Sequence, residues 1–424
     1  MKSFLDKIFF RSNNLDYINY NIKDLTKNTP AYKIFDAINS YSSESEIRYV
    51  GGCVRKVINK EIVDDIDLAT NIEPKQVCDA LKKNNISFFE SGIEHGTITA
   101  VIDQYKFEIT TLREDILTDG RHAKVQFSKD WKEDASRRDF TINSIYSDRE
   151  GNLFDPFDGR KDLENGLVKF IGNSDIRIKE DYLRILRYLR FFTNYSKHPH
   201  NPELIRKLKM NIGGISKLSK ERLFDELKKI FQSENLEKIA KNKISLELLQ
   251  IIFPELKNII IFSKLNSYKR SILEKNDFIF MLSLMIIDDS DNTDYFFYKF
   301  NISKKDQKRI KIINDFYQEK ISSKTFLENR MNRIFYYDGK QAVCDILNYH
   351  LIKSKKIEKN LMDLIHLYKN KSIPKMPIGA DTLMTKFNIP EGKQLGTKLK
   401  TIEEEWVKNN FKISDKQITY IVNN

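Results

Sequence analysis

The feature that most constrains this chain is a change of period at Asp155-Pro156-Phe157-Asp158-Gly159. Before it, apolar residues come in short runs suited to strands. Beyond it they recur at helical spacing to the C-terminus. A small strand-bearing domain must therefore precede a long helical body, which is an α+β organisation. The spacing predicts strands at IRYVGG (47–52), ending in paired glycines, DIDLAT (65–70) and ISFFE (86–90). GTITAVID (96–103) and YKFEITTL (105–112) read as a hairpin turning near Gln104, so the sheet is at least partly antiparallel. Helices are expected at AYKIFDAINS (31–40), VRKVINK (54–60) and PKQVCDALKKNN (74–85), the last with Pro74 as its first residue. The first thirty residues read as a short helix and a linker, and residues 113–136 as a long polar loop with one short strand, KVQF.

At 424 residues, 40% hydrophobic and 31% charged, the chain has enough apolar surface for about three domains with buried cores. No uninterrupted apolar run reaches membrane-spanning length, so no membrane association is expected. The opening MKSFLDKIFFRSNN is broken by Asp6 and Lys7 and makes a poor secretory signal. Cys53, Cys78 and Cys344 are odd in number and far apart; they form no zinc pattern or disulfide framework, as expected of a cytoplasmic protein. The net charge of +12 suits a polyanionic partner, nucleic acid above all. The Lys-, Ile- and Asn-rich composition offers a competing explanation, since genome bias alone can produce it.

Four clusters could carry chemistry. In DDIDLAT, Asp65 and Asp67 would share one face of a strand, with Cα atoms about 6–7 Å apart. They are either the solvated side of an edge strand or ligands for a divalent cation. Glu108 can add a third carboxylate, because Phe107 and Ile109 on either side point into the core. Hard oxygen donors of this kind suit Mg²⁺, and two such ions support phosphoryl-type transfer. Gly51-Gly52 ends a strand and precedes Arg55, which is either a plain turn or a close backbone approach to phosphate. Arg137-Arg138-Asp139-Phe140-Thr141-Ile142-Asn143 is either a helix start with solvated charges or a ribose and triphosphate binder. In Glu180-Asp181-Tyr182-Leu183-Arg184, helical spacing puts Asp181 and Arg184 on one face with Arg187 nearby. That pair is either a surface ion pair or a set of acceptors and donors for a base edge.

In this order the clusters resemble the class II tRNA nucleotidyltransferase and bacterial poly(A) polymerase family. GGCVR (51–55) with DID (65–67) looks like its first motif, RRDFTIN (137–143) its second, residues 155–163 its hinge, and EDYLR (180–184) its base-selecting motif. KERLFDEL (220–227) looks like a later element. The family commonly has Asp where this chain has Lys56, a departure expected to alter helix capping or phosphate contacts. The resemblance implies an N-terminal extension (1–30) and a nucleotidyltransferase head (31–160) with a small mixed sheet. An all-helical neck (161–245), body (246–350) and tail (351–424) would follow.

It also implies template-independent addition of CCA to tRNA 3′ ends from CTP and ATP, with pyrophosphate released. Asp65 and Asp67 would hold two Mg²⁺ ions, with Glu108 as the third catalytic carboxylate. Gly51, Gly52, Arg55, Arg138, Asp139 and Asn143 would hold the nucleotide's ribose and phosphates. Asp181 and Arg184, with Arg187, would read its base. HGT (95–97) and a full flexible loop carrying Arg113, Asp119 and Arg121 resemble full CCA-adding enzymes. Addition of A alone and poly(A) synthesis are the alternatives; a catalytically inactive RNA-binding scaffold is a remoter one. The six histidines form no His-Asp dyad, so no appended phosphohydrolase is expected. In the tail, Gly392 and Gly396 with Lys393 and Lys398 either bring a helix start to RNA phosphate or end a helical hairpin that packs through Trp406. The implied partners are tRNA and the two nucleotides, with no obligatory protein partner.

Overall fold

The structure, a computed structural model, describes residues 4–119, 122–232, 236–319, 328–354 and 359–424. The chain forms two compact units, Met1–Leu236 and Glu237–Asn424.

All nine strands among the described residues lie in the first unit: β1 (Ile47–Val50), β2 (Ile66–Thr70), β3 (Ser87–Gly92), β4 (Thr97–Ile102), β5 (Tyr105–Thr111), β6 (Arg113–Asp119), β7 (His122–Phe127), β8 (Tyr146–Ser147) and β9 (Leu153–Phe154). Seven build one sheet in the order β3-β4-β5-β2-β1-β8-β9, and β6 pairs with β7 separately. Only β2 and β5 run parallel; the other pairings are antiparallel. The expected β4–β5 hairpin is present, closed by Asp103 at φ 54. Leu68, Phe107 and Ile109 are fully buried, so the alternation of β2 and β5 puts one face on the core and leaves the other for polar side chains. The α+β reading stands.

Two expectations differ from the structure. The N-terminal segment is a 25-residue helix, Phe4–Asn28, and no linker: Ile18 and Ile22 are fully buried, and Thr26 Oγ1 lies 2.9 Å from Tyr49 Oη of β1. Ile18, Ile22 and Thr26 follow one another at four-residue spacing and share the face that is covered. Residues 113–136 contain β6, β7 and the Trp131–Ser136 helix, where a loop with one strand is expected. Polar side chains hide strands that lie away from the main sheet.

After β9 the chain is locked to the earlier RRDFTIN segment. Asp155 accepts from the N–H groups of Gly159 and Arg160, both at 2.8 Å, and so starts the Gly159–Asn165 helix. A Cβ on Gly159 would lie 2.0 Å from the carbonyl oxygen of Thr141, a close approach open only to glycine. Asp162 accepts from Thr141 Oγ1 at 2.9 Å and from Lys169 Nζ at 2.6 Å. The Ser174–Glu180, Arg184–Tyr195, Pro202–Asn211 and Lys220–Phe231 helices complete this unit.

The described residues of the second unit are helical or irregular. Its Phe278–Ile286 helix is apolar all round, and Phe280, Leu282, Leu284, Met285 and Ile286 are fully buried, as such a pattern requires. The Glu328–Lys353 helix is broken at Gly339, where φ is 86. The last three helices, Ala380–Phe387, Lys393–Lys408 and Asp415–Asn423, close on Leu383, Ile389, Leu395, Ile402 and Ile418. Trp406 packs edge-on against Tyr336 at 5.3 Å. No described helix is long and apolar enough to cross a membrane.

Candidate active site

The sheet's polar face builds the site. β1 ends at Gly51, whose φ of 66 turns the chain into the Gly52–Ile58 helix and whose N–H donates to the Ile145 carbonyl at 3.1 Å. A Cβ on Gly51 would sit 3.5 Å from an Arg138 terminal nitrogen, and one on Gly52 3.7 Å from Asp67 Oδ2. The bare backbone thus lies against the cation and carboxylate that a phosphate would have to meet. Asp65 immediately precedes β2, and Asp67 on β2 stands directly opposite Glu108 on parallel β5.

Burial pushes the Asp67 carboxyl up to about 6, and the negative charges of Glu108 and Asp65 add to this against the opposing pull of Arg138 and Arg55. Among the described residues no three His, Cys, Asp or Glu side chains are already gathered into a metal cage. The donor set still fits a hard divalent cation. It offers only oxygens, and the central carboxylate is held in mutual repulsion that a cation would relieve.

RRDFTIN is held from beneath by a residue that sequence reading missed. Asp134 is 1% exposed and accepts from Arg137 Nε at 2.8 Å, an Arg138 terminal nitrogen at 3.0 Å, Tyr146 Oη at 2.6 Å and the Arg113 N–H at 3.3 Å. Burial alone would raise its carboxyl, but the Arg138 and Arg137 charges win and hold it far below the usual carboxylate range. Its position three and four residues before the two arginines was a readable helical signal.

Asp139 accepts from the Phe140 N–H and Asn143 Nδ2, both at 2.9 Å, and from Arg187 Nε at 2.6 Å. Burial opposes its ionisation, yet the Arg187 charge and these hydrogen bonds bring it down to about 2. Asn143 Oδ1 accepts in turn from Arg55, whose guanidinium lies 4.9 Å from the centre of the Phe191 ring. Arg55, Asn143, Asp139 and Arg187 therefore form one continuous polar chain.

EDYLR differs from expectation. Asp181 ends the Ser174–Glu180 helix in extended backbone, φ −151 and ψ 104, and Arg184 starts the next helix. The two do not share a face of one helix. Asp181 Oδ2 pairs with Arg222 at 2.7 Å, and Oδ1 accepts from the Leu183 N–H at 3.1 Å. Arg184 donates to Glu180 Oε2 at 2.7 Å and to the Arg177 carbonyl at 2.8 Å. One turn beyond Arg222, Glu226 accepts from Arg190 Nε at 2.5 Å. Arg222 and Glu226 belong to the quoted KERLFDEL segment, but nothing in it showed their partners.

Many of these groups line one cleft of about 620 Å³. Its lining takes in Gly51, Gly52, Arg55, Asp67, Arg138, Asp139 and Asn143, then Asp181, Arg184, Arg187 and Arg222, with His95, Thr97 and Arg113; Asp65 and Glu108 stand beside Asp67 and are not part of the lining. Arg113 donates from its guanidinium to the His95 carbonyl. Asp119 ends β6, while Arg121 lies outside the described residues. Lys56 has a local role: it pairs with Asp64, whose carboxyl that hydrogen bond lowers, and it caps no helix.

Lys393 and Lys398 belong to the second unit. Lys398 Nζ donates to the Ile421 carbonyl at 2.9 Å and so joins the last helix to its neighbour. Lys393 opens the Lys393–Lys408 helix after Gly392.

Residues 47–169 match the poly A polymerase head domain, and residues 201–260 a probable RNA- and SrmB-binding site of polymerase A. The mitochondrial CCA tRNA nucleotidyltransferase 1 of Mus musculus is 32% identical over 390 residues, spanning 89% of this chain and 86% of that one. The CCA-adding enzyme of Staphylococcus haemolyticus is 29% identical over 305 residues, spanning 71% of this chain and 72% of that one. Among solved structures, the Bacillus stearothermophilus CCA-adding enzyme in complex with CTP shares the fold with a TM-score of 0.68 at 18% identity, covering 93% of this chain and 96% of that one. The Thermotoga maritima CCA-adding enzyme complexed with tRNA gives a TM-score of 0.57 at 17% identity, covering 93% and 94%.

Proposed function

This chain belongs to the class II CCA-adding tRNA nucleotidyltransferase family, and we propose that it adds C, C and A to tRNA 3′ ends from CTP and ATP without a nucleic-acid template. The observation that carries this reading is the single cleft. It joins a glycine turn, a carboxylate facing a second across parallel strands, the RRDFTIN arginine and the base-reading Asp and Arg.

In this reading the RNA 3′-hydroxyl attacks the α-phosphate of the bound nucleotide and pyrophosphate leaves. Members of this family use divalent metal ions; here two Mg²⁺ ions are proposed, held by Asp65 and Asp67 with Glu108 as third carboxylate. When bound, such ions activate the attacking hydroxyl and stabilise the leaving oxygen. The chain's own residues do the rest. Gly51 and Gly52 let the phosphates approach the backbone, and Arg138 opposes their charge. Arg55, Asp139 and Asn143 hold the ribose side of the cleft, with Arg187 fixed against Asp139. Asp181 accepts from the exocyclic amino group that cytosine and adenine share, and Arg184 donates to the ring nitrogen beside it.

Head, neck, body and tail are retained as proposed functional divisions. The head and most of the neck fall within the first compact unit, and residue 350, proposed as the end of the body, falls within the Glu328–Lys353 helix. tRNA is the proposed polymer substrate, with Lys393 a candidate phosphate contact. Cytoplasmic location is proposed and is supported by three buried, unpaired cysteines; the Mus musculus relative is mitochondrial.

The test is end-sequencing of a tRNA transcript lacking CCA after incubation with Mg²⁺ and CTP, ATP or both. CC from CTP alone and CCA from both are expected. A single A added only to a CC-ended transcript, or long A tracts on unrelated RNA, overturns the full CCA reading.

A further inference from the structure

Asp181 and Arg184 are each committed to a different ion pair, and the partner of Asp181 comes from a distant part of the chain. Arg222 reaches it from the first turn of the Lys220–Phe231 helix at 2.7 Å. One turn on, Glu226, 2% exposed, takes Arg190 at 2.5 Å. The two pairs have opposite polarity, so they fix both the register and the direction of this helix against the Arg184–Tyr195 helix. Each oxygen of Asp181 already accepts one hydrogen bond, Oδ2 from Arg222 and Oδ1 from the Leu183 N–H. A carboxylate so held cannot rotate freely and offers only its remaining lone pairs to the cleft.

We propose that Arg222 is a specificity-determining positioning residue: it aims Asp181 as an obligate acceptor, so that the cleft takes bases with an amino group at the reading position and refuses those with a carbonyl. Cytosine and adenine carry that amino group; uracil and guanine present an oxygen there, which would face a fixed carboxylate oxygen. Discrimination of this kind depends on leaving the wrong base unpaired. Without Arg222 the carboxylate gains rotational freedom and can turn away from a carbonyl. The inference rests on the nucleotidyl-transfer reading above. It adds to that reading a residue that acts on the base only through Asp181.

The experiment measures kcat/KM for CTP against UTP, and for ATP against GTP, on matched tRNA ends with the full-length protein. Arg222→Met is expected to lower both discrimination ratios roughly tenfold or more, the scale of one charge-assisted hydrogen bond. Arg222→Lys should recover part of the loss. In an Asp181→Asn background, Arg222→Met should change the ratios less than threefold. Unchanged ratios in Arg222→Met, with the wild type incorporating CTP and ATP normally, overturn the inference. So does an equal further loss in the Asp181→Asn background. If Arg222→Met does not fold, Arg222→Gln is read by the same criteria. Failure of the wild type to incorporate either nucleotide is a separate outcome that overturns the reading beneath it.

Discussion

Replacing Asp134 by Asn tests the electrostatic footing of the site. Every group that meets this carboxylate is a donor: the Arg137 and Arg138 guanidinium groups, the Tyr146 hydroxyl and the Arg113 N–H. An amide of the same shape must turn its NH₂ toward at least one of them and removes the charge paired with both cations. Breaking a buried pair by losing one partner costs about 3–5 kcal/mol. The Arg137 and Arg138 side chains keep 15% and 19% exposure, so water recovers part of the loss and about 3 kcal/mol is expected. With a urea slope of about 3 kcal/mol per molar for a unit of this size, the midpoint should fall by roughly 1 M.

Trp131 reports on this unit, because it packs edge-on against Tyr146 at 5.4 Å. The other tryptophan, Trp406, belongs to the second unit and is removed by Trp406→Phe in both proteins compared. The pH dependence has a definite sign. The folded Asp134 carboxyl titrates far below its unfolded value, so its contribution is complete above about pH 5 and drains away as pH falls through the folded value. The gap between wild type and Asp134→Asn should therefore narrow in acid. A midpoint shift under about 0.3 M at pH 7, or a gap that widens in acid, refutes the reasoning.

Gly159→Ala should cost about 3 kcal/mol by thermal melting, because its Cβ would lie 2.0 Å from a backbone oxygen that must then move. Asp67→Asn should abolish transfer and leave tRNA binding largely intact in a filter assay. The same change should stabilise the chelated protein at pH 8 by about 1–2 kcal/mol after screening. The folded carboxyl titrates near 6 against 3.8 when free, so its penalty grows as pH rises between these values and the gain should shrink below pH 6. Lys393→Ala should lower the slope of log affinity against log salt for tRNA by roughly one, whereas Lys398→Met should mainly loosen the last helix, by at most about 1 kcal/mol.

Much of the site was legible because its motifs are short and contiguous. The glycine pair, the two aspartates around Ile66, and the Arg138, Asp139 and Asn143 set all line the cleft or stand beside it. The alternation of β4 and β5 was equally readable, since six- and seven-residue strands show a period of two. β8 and β9, with two residues each, are too short to show any period. The N-terminal helix was under-read because its buried Ile18 and Ile22 stand among polar neighbours.

The sequence by itself determined which chemical groups are available and which local period each stretch follows. These depend on neighbours along the chain: the strand-to-helix change at residue 155, the carboxylates flanking Ile66, and the arginines at i+3 and i+4 from Asp134. Only the tertiary structure decided which charges meet. Asp181 would face Arg184 on an unbroken helix, but the backbone extends at Asp181 and sends its carboxylate to Arg222, 41 residues away. Asp67 meets Glu108 for the same reason: a parallel pairing of β2 with β5 sets that register. Pairing over such distances follows from how whole elements pack, and the residues between them carry no local trace of it.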